Sequence, residues 1–219
     1  MPEYQSIEVY VKCDEDTLSS VIEKYRHVLE QLHCMTHDVE AWLSQIVWPS
    51  WEKGYSTDYP SVTLFSENEL FPARIYLSFP IAEDEKRWAE WVKLGLLIEA
   101  MSLRAADAAG LYFENAGSFL WHLLEAFALA FPENGVYCND EIQDGEAGYV
   151  VMTGKGNFWF VSGYDPAYPL FDAALVPLEI VDRFQPIPEI FEHITWNGFV
   201  GLAVRDRFLR MPWETSRLR

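Results

Sequence analysis

Two histidines four residues apart, His33 and His37, are the first residues whose spacing could do chemistry. On a helix they would share a face, as zinc ligands do, with Cys34 and Glu40 close in sequence. No Glu follows His33 in the His-Glu-x-x-His sense, and Cys34 points about a quarter-turn away. A closed tetrahedral site lacks its remaining ligands, so the pair reads as two histidines near a helix end and no metal is expected. The run Asn139-Asp140-Glu141-Ile142-Gln143-Asp144-Gly145-Glu146 is dense in oxygen donors. Counted from Asp140, however, the third position is Ile142 and the twelfth is Val151, so the EF-hand pattern and its bidentate Glu are missing. Two readings remain: an acidic solvated turn, or a protruding anionic finger for a cationic partner.

Gly154-Lys155-Gly156 lacks the Gly-x-x-x-x-Gly-Lys-Ser/Thr pattern that cradles phosphate, and it reads as a turn. Ser118 follows Gly117, but there is no Gly-x-Ser-x-Gly elbow. Asp84-Glu85-Lys86 has the Asp-x-Lys form of metal-dependent nucleases, which need it on a strand beside a second acid. Here it opens an expected helix, where acids suit the free N–H groups and the dipole. Pairs of acids for glycoside chemistry can be drawn anywhere among 34 carboxylates, so drawing them decides nothing. No catalytic residue and no cofactor is expected, and the chain reads as a non-enzyme.

Charge narrows the function classes further. Sixteen Lys+Arg against 34 Asp+Glu give −18 over 219 residues. Arg205, Arg207, Arg210, Arg217 and Arg219 gather at the C-terminus against only Asp206 and Glu214, so the rest is more acidic still. Such a body repels phosphate backbones and anionic membranes, which disfavours direct nucleic-acid or lipid-surface binding and favours a basic protein partner. The longest run free of Asp, Glu, Lys and Arg, residues 193–204, is far short of the ~20 apolar residues of a membrane span. Met1-Pro2-Glu3-Tyr4 lacks the basic and apolar regions of a signal peptide. Cys13, Cys34 and Cys138 are too few and too scattered for a disulfide framework, so a cytoplasmic location is expected.

The elements that must position these residues follow from periodicity. Ile7, Val9 and Val11 alternate with polar neighbours, as a half-buried strand does. After Asp14-Glu15-Asp16-Thr17, the residues Leu18, Val21, Ile22, Tyr25, Val28, Leu29 and Leu32 keep helical spacing. A second helix is expected over 38–47, stopped by Pro49. Residues 49–72 read mostly as loop with a short strand at 62–65, and Ile75, Leu77 and Phe79 as a strand stopped by Pro80. Glu83-Asp84-Glu85 should open a long helix holding Trp88, Trp91, Val92, Ile98 and Met101. A short strand is expected at 110–113, then a helix bearing Leu120, Leu123, Leu124, Phe127 and Phe131. Residues 149–152 and 158–161 read as a β-hairpin around Gly154 and Gly156. Five prolines between 166 and 188 mark irregular chain, and an apolar stretch at 199–204 precedes a basic tail at 205–219. Trp88, Trp91 and Trp121 fall at helical core spacing, Trp42, Trp48 and Trp51 cluster near a loop, and Trp213 lies in the tail. Half the residues are hydrophobic and 16% are aromatic, which excludes a disordered chain. Strands and helices do not alternate strictly, so the expected class is α+β: one domain over 1–219, with a mixed or antiparallel sheet, several packed helices and a strand-rich C-terminal half.

Gly154-Lys155-Gly156 and Trp196-Asn197-Gly198, in an acidic α+β chain of this length without a catalytic motif, resemble the immunity proteins of bacterial polymorphic toxin systems, in particular the immunity protein 52 family. The resemblance implies a non-catalytic antidote to a restriction-endonuclease-like nuclease effector of type VI secretion. It implies the two motifs as fold-supporting turns rather than contacts. A nuclease needs a basic surface to hold DNA, and an acidic inhibitor is steered to that surface. The contact acids expected are Asp140, Glu141, Asp144 and Glu146, with Glu67 and Glu69 next. Two other classes stay open: a metal-dependent hydrolase built on a carboxylate and histidine cluster, and an acidic scaffold module for another basic protein.

Overall fold

The structure, a computed structural model, describes residues 4–48, 59–66, 69–79, 90–104, 110–164 and 166–216. Strand β1 (Tyr4–Lys12) turns its odd positions, Ile7 and Val9, into the main core. The Asp14 carboxylate then accepts the Thr17 N–H and the Thr17 hydroxyl, closing the turn that launches α1 (Leu18–Gln31). Leu18, Val21, Ile22, Tyr25, Val28 and Leu29 form the buried stripe of α1, as their spacing demands. His33 ends this helix in the left-handed region, φ 55°, and Cys34 N–H reaches back to the Leu29 carbonyl, a helix-terminating arrangement. His37 opens α2 (His37–Leu43), where the Thr36 hydroxyl accepts Val39 N–H. The two histidines therefore share no helix face, and α2 stops short of the expected end at residue 47.

The next segment departs from expectation. Strands β2 (Ser61–Ser66) and β3 (Glu69–Ser78) form an antiparallel pair, so 69–72 is strand rather than loop. The stretch expected to continue a long helix is β4 (Trp91–Glu99), capped by the single turn α3 (Ala100–Leu103). Val92, Leu94, Leu96 and Ile98 enter the core from β4, a period of two that the spacing of Trp88, Trp91 and Val92 conceals. The expected helix start at 83–85, Trp51 and Trp88 lie outside the described residues. At 110–113 only Tyr112 makes bridges, to Arg104 and Phe208.

Helix α4 (Glu114–Ala130) and strand β5 (Val136–Asp140) follow. Helix α5 (Glu146–Thr153) replaces the expected hairpin, bounded by Gly145 and Gly154 with φ of 80° and 67°. Its Gly148 lies so near β1 that a Cβ would sit 2.2 Å from the Tyr10 ring. Phe160 makes only an isolated bridge to Pro169. Then come β6 (Ala173–Pro177), the turn α6 (Leu178–Val181), β7 (Phe191–Trp196), β8 (Phe199–Val204) and α7 (Pro212–Ser216). Asn197 and Gly198, with φ of 45° and 85°, turn β7 into β8 as a two-residue hairpin with positive φ at both positions.

The eight strands form one antiparallel sheet in the order β2-β3-β4-β1-β5-β6-β8-β7, and with the helices this is an α+β fold with a strand-rich C-terminal half. One sheet face is covered by the helices: Tyr25 of α1 against Phe127 of α4, and Phe119 of α4 stacked 4.0 Å from Phe71 of β3. The segment expected to be a basic tail packs here too. Phe208 stacks 4.5 Å from Tyr112, and Trp213 of α7 meets Trp121 of α4 edge-on. On the opposite face, α5 and a second core of Phe158, Trp159, Phe171 and Phe191 cover β1, β5, β6 and β8, reaching Phe191 at the start of β7. Over β2, β3 and β4 the described residues leave that face open, with Phe65 67% and Leu70 60% exposed. All three cysteines are buried and free. No helix among the described residues is long and apolar enough to cross a membrane.

Candidate functional site

A trough of about 320 Å³ lies where the covering layer stops and the open sheet face begins. Alternation along β1, β3 and β4 sends Ser6, Tyr76 and Lys93 to this face while their neighbours enter the core. Tyr4, Leu97 and Tyr59 extend it, and the turn after β5 supplies Asp140, Glu141 and Asp144 as its lip. The volume is at the small end for ligand sites, enough for one side chain or a small molecule.

Beneath the trough lies a charged cluster that the sequence reading did not single out. Glu8 is fully buried, and its carboxylate accepts the Ser6 hydroxyl at 2.7 Å and the Tyr10 hydroxyl. Lys93 Nζ is 3.3 Å from Glu8 and forms an ion pair with Asp144, so one ammonium joins the sheet to the turn. Burial raises the Glu8 pKa from 4.5 to about 7 against the pull of Lys93, helped by a hydrogen bond to Asp144. Burial alone would raise Asp144 too, but that hydrogen bond and Lys93 hold it below the ordinary carboxylate value. Desolvation disfavours charge on Lys93, yet the two carboxyls overcome it and raise its pKa. Lys93 also stands 5.4 Å from the centre of the Tyr76 ring. The Tyr76 hydroxyl is buried with no hydrogen-bond partner among the described residues. Burial, reinforced by Glu8, keeps that phenol protonated far above its usual range.

The backbone beneath is shaped for this arrangement. At Gly95, paired with Glu8, β4 approaches β1 so closely that a Cβ would lie 1.7 Å from the Ile7 carbonyl oxygen. From the helical side, the Tyr25 hydroxyl donates to the carbonyls of Gly95 (2.6 Å) and Tyr76 (3.1 Å).

The expected contact acids separate into different environments. Asp140 is 2% exposed and is corrected from a finger acid to a structural one. Its carboxylate caps the turn by accepting N–H from Ile142 and Gln143, receives the Tyr168 hydroxyl, and lies 3.8 Å from Arg104. Asp144 is half-exposed but tied to Lys93. Glu141 is exposed at the lip, and Glu146 is partly exposed in the first turn of α5. Glu69 is exposed at the start of β3, and Glu67 lies outside the described residues. The turn is therefore folded back onto the sheet rather than protruding. Neighbouring it is a second buried network around Asp172, which accepts the Tyr112 hydroxyl at 2.7 Å and faces Arg104 at 3.6 Å and Arg207 at 3.7 Å.

The sequence carried a partial signal for the missed residues: Glu8 and Tyr10 occupy the polar phase of the β1 alternation. Lys93 was hidden by the helix reading of its segment. Asp84, Glu85 and Lys86 lie outside the described residues, and Ser118 merely donates to the Asn115 carbonyl on α4. Among the described residues no three His, Cys, Asp or Glu side chains are grouped to hold a metal ion. Comparison with protein-family models, curated proteins and solved structures finds no significant match for this chain.

Proposed function

We propose that this chain is an immunity protein that acts in the cytoplasm by binding and neutralising a basic nuclease toxin, without catalysis of its own. The observation that carries the reading is the half-apolar sheet face that the described residues leave open, bordered by the acidic residues Glu141 and Asp144, on a chain of net charge −18. An apolar patch rimmed by charge is a common form of a protein-docking surface. Strong negative charge speeds capture of a cationic partner and keeps the DNA substrate away from the occupied cleft. The resemblance of Gly154-Lys155-Gly156 and Trp196-Asn197-Gly198 to motifs of the immunity protein 52 family points the same way. Gly154 ends α5 and Asn197-Gly198 turn β7 into β8.

The test is titration of the purified protein into the purified product of a gene neighbouring its own, assayed for DNA cleavage. The expected result is loss of DNA cleavage at near-stoichiometric protein; undiminished cleavage at saturation rejects the proposal. The double substitution Glu141→Lys with Glu146→Lys is expected to slow association about tenfold at low salt and to flatten its salt dependence.

A second reading rests on one observation, the near-neutral Glu8 beside Asp144 and Lys93, which suits acid–base work in a hydrolase. His33 and His37 belong to the connection and helix on the other side of the sheet, so a cluster drawing on them is not assembled. Stoichiometric zinc or manganese in the purified protein would favour this reading over immunity.

A further inference from the structure

We propose that Glu8 and Asp144 share one proton, and that this proton decides whether the Asp144 part of the trough lip is tied down to Lys93 or turned out to solvent. Lys93 Nζ stands 3.3 Å from Glu8 and pairs with Asp144, so both carboxyl groups crowd one ammonium. Two ionised carboxylates there repel each other, and one ammonium balances only one of them. Burial decides which group takes the proton. The Glu8 side chain is 0% exposed and that of Asp144 54%, so the charge settles on Asp144. The other groups around Glu8 titrate far from neutrality. On its own strand Ser6 and Tyr10 donate to the Glu8 carboxyl. Tyr10, Tyr76 of β3 and Tyr137 of β5, which lies opposite Glu8, are all held protonated above the usual phenol range by burial. From β4, Lys93 stays charged, and Gly95 opposite Glu8 brings no side chain. From α5, Gly148 meets the Tyr10 ring, and Glu146 is partly exposed. On the turn, Asp140 is engaged by Tyr168, and Glu141 is exposed at the lip. The shared proton leaves at about pH 7. Glu8 is then a buried carboxylate that needs Lys93 for itself. Asp144 is the member of the trio that water reaches, so it gives up the ammonium and turns outward, which widens the mouth of the trough. That a cationic partner senses this change rests on the immunity reading; the shared proton does not.

The test is side-chain carboxyl carbon NMR of the full-length protein, followed from about pH 5 to about pH 9. The Glu8 carboxyl is expected to titrate with a midpoint of about 7. The Asp144 carboxyl, already ionised, should shift at that same midpoint as it leaves Lys93. Glu8→Gln should erase this Asp144 shift. Asp144→Asn removes a charge and a hydrogen bond that hold the proton on Glu8, so the Glu8 midpoint should fall by about 0.5 or more on the pH scale. Thermal melts show whether each variant is folded, and the titration of the parent chain needs neither. A Glu8 midpoint in the ordinary carboxylate range, an Asp144 carboxyl indifferent to the Glu8 titration, or an unchanged midpoint in folded Asp144→Asn overturns the proposal. No toxin enters the experiment. Its failure therefore sinks the shared proton alone, and failed neutralisation sinks the immunity reading alone.

Discussion

Glu8 and Asp144 share one ammonium, yet their ionisation is pushed in opposite directions. For Glu8 the folded pKa, about 7, exceeds the unfolded value of 4.5. Its contribution to stability is therefore complete below the unfolded value and is lost as pH rises through about 7. Asp144 has the reverse sign: its contribution is present above 3.8 and is lost as pH falls through its lowered value. Glu8→Gln mimics the protonated carboxyl and removes the upper decline. Urea unfolding at about pH 5 and about pH 8 should show the variant gaining on the parent as pH rises, and a gap that stays constant would contradict this. Asp172 makes a different demand, because Arg104 beside it is 4% exposed. Asp172→Asn leaves the Arg104 guanidinium with only Asp140, at 3.8 Å, and takes the carboxylate from Arg207, so the unfolding free energy should fall by about 1–3 kcal/mol.

Packing between elements explains where sequence patterns succeeded and where they misled. In α1 the apolar stripe has one buried destination, so periodicity located the helix within a residue of its end. In β4 both signals were present. Leu97 faces the trough and interrupts the clean alternation, while Trp88, Trp91 and Val92 imitate a helix face; Gly95 in mid-segment was the clue against helix. In α5 the valines and the two glycines imitate a hairpin, but Gly148 lets a helix settle on Tyr10, a tertiary contact that local propensity does not contain. Of the site, the acidic turn was legible because its composition is local. The Glu8–Lys93–Asp144 cluster was not, because three distant segments assemble it. Gly148→Ala should lift α5 from β1 and cost about 1–3 kcal/mol, read by urea unfolding; an unchanged midpoint would mean that the helix shifts freely.

Across the whole molecule the C-terminal arginines act inward as well as outward. Arg207 faces the buried Asp172, while Arg205 and Arg210 pair with Glu192 and Glu114 at the surface. Removing residues 205–219 strips away the Phe208 and Trp213 contacts and exposes α4. Such a truncation should lose the sharp unfolding transition of the full chain in a thermal melt, and a preserved transition would show the segment to be dispensable. The buried thiols have a practical consequence of another kind. Cys13, Cys34 and Cys138 are at most 2% exposed, and burial raises the pKa of each. Only the thiolate reacts, so an aromatic disulfide reagent should modify them no faster than the structure opens. Cys138, at the centre of the sheet, would then serve as a built-in stopwatch for the slowest opening, and Cys13, beside the turn before α1, for a faster one.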